Sequence, residues 1–167
     1  MTPYERVQLS RQRTAGVFPL PSVLDCIRYA ITELAEYDDA LLRQERTGDK
    51  RNNDKAHDPR SELGQALYML LSAAVQIPRE LSDFPGRANN VQQEYAAALF
   101  GLSQAMSYAE RWMNSNYPKL QFDMITTFCG AYDHICKLAG VHGWPVEALI
   151  DDTCTRFEAK HAPQEAA

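Results

Sequence analysis

Apolar residues recur at three- and four-residue spacings along most of the chain, and no stretch alternates cleanly enough to predict a strand. Leu24, Ile27, Ile31, Leu34 and Leu41 predict one helix, from near Pro21-Ser22 to about Arg43. Leu63, Leu67, Leu70 and Ala74 predict a second, with Asp58 as N-cap, Pro59 at the first helical position and Pro78 just past the end. In the third, Val91, Tyr95, Ala98, Leu102, Ala105, Ala109 and Trp112 form a seam whose alanines allow close helix approach. The fourth follows Pro118 and turns Ile125, Phe128, Tyr132, Ile135 and Ala139 inward, with Gly140 as the expected C-cap residue. A fifth starts at Pro145 with Leu149, Ile150, Cys154 and Phe157. Residues 1–20 carry Arg6, Arg11 and Arg13 and few apolar positions, which predicts an irregular arm. Residues 163–167 read as a frayed tail. Residues 21–162 are therefore expected to be a single all-α domain, a helical bundle of about five helices.

A length of 167 residues suits one domain and is enough to bury a core without a metal or disulfide staple. The net charge of −5 argues against a general nucleic-acid binder, so no nucleic-acid polymer is expected as a partner. No apolar run reaches membrane-spanning length, and MTPYERVQLSRQR lacks the apolar core of a secretory signal. Cys26, Cys129, Cys136 and Cys154 show no Cys-x-x-Cys spacing and read as reduced, buried small hydrophobes. A cytoplasmic protein with no membrane partner is expected.

Residues 43–60 change the picture, because their only apolar side chain is Ala56 and they hold six basic and four acidic residues. Nothing there can enter a core, and a loop this long is usually functional or disordered.

Acids on the flanking helices supply the candidate chemistry. Glu33 and Glu36 lie three residues apart on the first helix, about 60° apart around its axis, on the side opposite Leu24 and Ile31. Glu62 and Gln65 repeat that spacing on the second. If the two helices pack antiparallel, both pairs can face one cleft, and carboxylates converging from bundle helices build divalent-metal sites. Hard oxygen donors select Mg²⁺ or Mn²⁺ over zinc. The plain alternative is a solvated helix face, the usual state of glutamate.

The wording around these acids adds a further clue. Glu33-Leu-Ala-Glu36, 25 intervening residues and Glu62-Leu-Gly-Gln65-Ala-Leu-Tyr resemble the MazG-like all-α nucleotide pyrophosphohydrolases. That family pairs Glu-x-x-Glu on one helix with Glu-x-x-Asp on the next. GVHGWPVEALIDDTCTRFEAKH looks like its closing helix, which often ends in a Lys or Arg and aromatic pattern. The resemblance covers residues 22–77 well and 119–161 loosely. It implies Mg²⁺-dependent hydrolysis of a nucleoside triphosphate, (d)NTP, to monophosphate and pyrophosphate, in a homodimer or homotetramer for which the alanine seam is a reasonable interface. Carried over by position, Glu33, Glu36 and Glu62 would be metal ligands or the water-orienting base. Gln65 stands where the family has aspartate; its amide oxygen can coordinate Mg²⁺ but supplies no charge and cannot act as a base. Asp39 follows Glu36 by three and offers partial compensation. Asp38 falls within the apolar stripe, where an acid needs a partner. Lys50, Arg51, Lys55 and Arg60 lie between the two acidic pairs, where a triphosphate needs countercharge; the rival is a solvated loop.

Other chemistries find no support. There is no phosphate-binding Gly-rich loop and no nucleophile elbow, and the four histidines form no i,i+4 pair. Asp133 and His134 are adjacent in sequence, point in different directions and read as surface rather than a dyad. Cys129 and Cys136 share a face that suits packing. Trp112, Trp144, Tyr68 and Phe84 have the flat rings to stack on a base, although aromatics at helical spacing are usually core. The readings that compete with the pyrophosphohydrolase are a nucleotide-binding protein that has lost turnover with Gln65, and a helical interaction module.

Overall fold

The computed structural model describes residues 1–47, 58–77 and 88–161. Among them are six helices and no strand: α1 Pro3–Thr14, α2 Val23–Thr47, α3 Pro59–Ala74, α4 Val91–Ser115, α5 Pro118–Val141 and α6 Val146–Lys160. No helix is long and apolar enough to cross a membrane.

The sixth helix corrects the expectation of an irregular arm. Thr2 caps α1 in a reciprocal capping box with Glu5, and Pro3 occupies the first turn. Its inward face carries Val7, Ser10, Arg11 and Thr14, all buried. Arg6 bridges Asp151 and Glu158 of α6, and Arg13 joins Glu158. Polar residues dock this helix, so hydrophobic periodicity does not reveal it.

On α2 the buried stripe is Cys26, Ile27, Ala30, Leu34, Tyr37 and Ala40, while Leu24, Ile31 and Leu41 are only partly covered. The true inward face is therefore rotated around the helix toward Glu33. Small and amphipathic residues (Cys26, Ala30, Tyr37) define it more than leucines do. The helix also runs past Arg43, to Thr47.

Helix α3 is the hub, packing against α1, α2, α5 and α6. It is buried on nearly every side, which its leucine stripe and small residues allow. Gly64 is required where α6 crosses: a Cβ there would sit 2.6 Å from Thr153 Oγ1 and 3.2 Å from the Leu149 carbonyl oxygen. Helices α4 and α5 pack against each other, and α4 also packs on α2. Ala98, Leu102, Ala105 and Ala109 are buried inside this single chain, so the alanine seam is occupied and is not a free face for self-association. The end of α5 also differs from expectation. Gly143, not Gly140, takes the left-handed conformation (φ 69°), with Trp144 N donating to Ala139 O and Gly143 N to Gly140 O, the Schellman pattern.

Asp133 and His134 are half-buried ion-pairing residues rather than surface groups, and they do not bond each other. Asp133 accepts from Lys137 Nζ at 2.6 Å, while His134 Nδ1 lies 2.7 Å from Glu94 Oε2. Glu94 is 0 % exposed and also accepts from the backbone N and Nδ2 of Asn89. Burial raises the carboxyl's pKa, but the bonds from Asn89 and His134 outweigh it and hold Glu94 below its ordinary 4.5. Stability from this group is thus complete above the ordinary glutamate range and is lost as pH falls through the lower folded value. Glu94→Gln is expected to cost about 1–3 kcal/mol at pH 7 and to flatten the acid limb of stability. Urea midpoints measured from pH 7 to 3 check this; parallel curves for the two proteins would contradict it.

Cys26 and Cys154 are buried as expected, whereas Cys129 and Cys136 on α5 are only half-buried.

Candidate functional site

Helix α2 carries Glu33 at the edge of its buried face and Glu36 one turn on, in solvent. Helix α3 carries Glu62 in its first turn, where the helix dipole favours a carboxylate, just behind the Asp58 cap that accepts from Arg60 N and Ser61 N. One carboxylate oxygen from each of Glu33, Glu36 and Glu62 lies within 4.8 Å of the other two. Glu62 is only 2 % exposed and Glu33 is half-buried. Burial, with the neighbouring charge of Glu36, keeps the Glu33 carboxyl above its ordinary value, despite a hydrogen bond with Glu62. Three acids this close repel one another unless a proton or a cation lies among them. Oxygen donors of this hardness and charge suit Mg²⁺ or Mn²⁺, and the three residues fit such an ion.

Gln65 adjoins the group through its amide nitrogen. Its Nε2 donates to Glu62 Oε2 at 2.6 Å, which clamps the buried carboxylate. Asp39 stands apart from the three glutamates: it is exposed and paired with Arg43 one turn along α2, so it does not join them. Asp38 is half-buried, and burial first, then the charges of Asp39 and Glu45, raise its pKa. Of the expected phosphate-binding residues, Lys50, Arg51 and Lys55 lie outside the described residues, as does Phe84. Arg60 is described, and Asp152 of α6 neutralises it at 2.8 Å.

Of the three acids, Glu33 reaches a cleft of about 490 Å³ between α2, α3, α6 and the segment after α1. Glu33 and Gln65 stand on its wall, and Phe18, Tyr68, Phe157 and His161 line it with rings. Arg156 and Lys160 supply positive charge. Arg156 is held by the hydroxyl oxygens of Ser61 and Thr153, and among the described residues it has no ion-pair partner. These α6 cations are functional candidates that reading by residue spacing missed. Arg156–Lys160 and Phe157–His161 are both i,i+4 pairs, so a shared face was detectable. That it turns toward Glu33 was not.

Comparison with protein-family models, curated proteins and solved structures gives no match.

Proposed function

We propose that this chain is a Mg²⁺-dependent nucleoside triphosphate pyrophosphohydrolase, similar in its chemistry to the MazG-like enzymes. The observation that carries the reading is the convergence of Glu33, Glu36 and Glu62 from two helices, beside a cleft lined by Arg156 and Lys160. In this reading the three glutamates hold the ion, with Mn²⁺ as a substitute. Bound there, the ion supplies charge neutralisation at phosphate oxygens and acidifies a water. A glutamate oxygen left outside the coordination accepts a hydrogen bond from the attacking water and orients it. Gln65 keeps the Glu62 carboxylate in place, and Arg156 and Lys160 take the countercharge role that spacing had assigned to the 43–60 loop. Water adds across the bond between the α- and β-phosphoryl groups, so (d)NTP yields (d)NMP and pyrophosphate.

The Gln65–Glu62 bond also favours a second reading, a cleft that binds nucleotide and turns it over poorly. The amide occupies a carboxylate oxygen and brings no negative charge. Pyrophosphate release from a panel of nucleoside triphosphates, with Mg²⁺ or Mn²⁺, separates the two. Slow release by the native chain, faster release by Gln65→Asp and none by Glu36→Gln is the expected pattern. Tight metal-dependent binding with no release by either the native chain or Gln65→Asp would establish the binding protein instead. Neither binding nor release would leave the three acids as a helix face.

A further inference from the structure

The ring-lined half of the cleft is built around a buried charge that no carboxylate among the described residues answers. Arg11 is only 5 % exposed. Its Nε donates to Ser72 Oγ at 2.8 Å and its Nη2 reaches Met69 Sδ at 3.5 Å, but its Nη1 is buried without a hydrogen bond. The guanidinium lies 4.6 Å from the Tyr68 ring centroid, 5.0 Å from Phe157 and 5.7 Å from Phe18. Among the described residues it has no ion-pair partner, although buried charges ordinarily have one. Arginine stays protonated in proteins, so the charge persists behind the rings.

Those three rings and His161 form one cluster. Phe18 meets Phe157 edge-on at 5.2 Å and lies 4.9 Å from His161, while Tyr68 lies 5.0 Å from Phe157. They are only partly covered, except Tyr68, and they face a cleft whose size falls within the range of about 300–1,000 Å³ usual for small-molecule sites. A flat, electron-rich ring carrying negative charge at one end matches this surface. Its plane would rest on the aromatic cluster and its charge would meet Arg156 and Lys160, with the Arg11 charge behind the floor. Glu33, on the wall of the same cleft, joins it to the three-acid group that would hold the phosphate's cation.

Building on the proposed function, we propose that Phe18, Phe157 and His161 form the subsite for the base of the nucleoside triphosphate. The α1 segment is then part of the binding site rather than an appendage. This subsite lies wholly within one chain, and it takes the base by stacking, which tolerates any base, rather than by a set of edge contacts.

Calorimetric titration with Mg²⁺ present tests this, using the α,β-imido analogues of ATP, GTP, CTP and UTP beside inorganic tripolyphosphate, which has no base. Native protein should bind the analogues about tenfold or more tighter than tripolyphosphate, the scale of one stacked base. Phe157→Leu should remove most of that preference while leaving tripolyphosphate affinity within twofold. Phe18→Leu is the second variant, because Phe18 lies outside the helices and its exchange burdens the fold least. Equal affinity of native protein for analogue and tripolyphosphate, or a preference that survives in both variants, would overturn the subsite alone. Loss of the metal-dependent binding of tripolyphosphate itself, in protein that still distinguishes the analogues, would overturn the proposed function and spare the subsite. If the native chain bound neither ligand, both would fall.

Discussion

Glu62→Gln should lower pyrophosphate release by about 100-fold or more, while the metal-free protein becomes no less stable. Removing a metal ligand costs at least the roughly 10–100-fold that loss of a supporting group costs, and Glu62 is the most buried of the three acids. The same substitution takes one negative charge out of three adjacent carboxyls, while the rise of the Glu33 carboxyl, which comes from burial and from Glu36, stays in place. The new amide oxygen can still accept from Gln65 Nε2, so the clamp survives. In EDTA the variant's Tm should therefore equal or exceed that of the native chain. Saturating Mg²⁺, at about 100 times its Kd, should stabilise native protein by about 2.7 kcal/mol. That raises Tm by roughly 5–10 °C in a chain of this size. Little of that increment should remain in Glu62→Gln. Thermal melts with EDTA, Mg²⁺ and Mn²⁺, set beside the pyrophosphate assay, check both halves. A native Tm that no divalent ion moves would show that the three acids hold no cation.

Leu67→Ala should be the most damaging single truncation of the hub helix. Leu67 is fully buried at the middle of α3, which packs on four neighbours, so few of them can move to close the void. Truncations of this kind cost about 2–5 kcal/mol, set against a total stability of about 5–15 kcal/mol. Tm should fall on the order of 10 °C. Helical circular dichroism at low temperature should stay native-like, because alanine is the best helix former. Urea unfolding with an unchanged m-value and a lowered midpoint would confirm the loss as packing. A change under 1 kcal/mol would mean that α3 is not the centre of the core.

Five of the six helices were legible in the spacing of apolar residues, because each carries apolar side chains at three- and four-residue intervals, α4 largely through alanines. Helix α1 escaped that reading. Its docking relies on Arg6 and Arg13 reaching acids about 145 residues away, and on Arg11 entering an aromatic cage. Its capping box, Thr2 with Glu5 after Pro3, was the local signal available. The α2 stripe was misplaced for a related reason. Leucine and isoleucine mark a helix's apolar side, but on α2, which packs on α3 and α4, Cys26, Ala30 and Tyr37 are fully buried while Leu24, Ile31 and Leu41 are only partly covered.

Sequence by itself determined the helical class, the two carboxylate pairs at three-residue spacing, and the neutral Gln65 where a charge was expected. Those are properties of residue order along one helix, set by 3.6 residues per turn. What the tertiary structure decided is which acids meet. Rotation of α2 toward α3 brings Glu33 and Glu36 to Glu62, while Asp39, equally well spaced, turns to Arg43. It also places Arg156 and Lys160 of α6 at the cleft, where among the described residues Asp152 neutralises Arg60 and Arg156 has no ion-pair partner. Spacing specifies neighbours within a helix; contacts between helices depend on how side chains of different volume interlock, and that information is spread over all the packed faces at once.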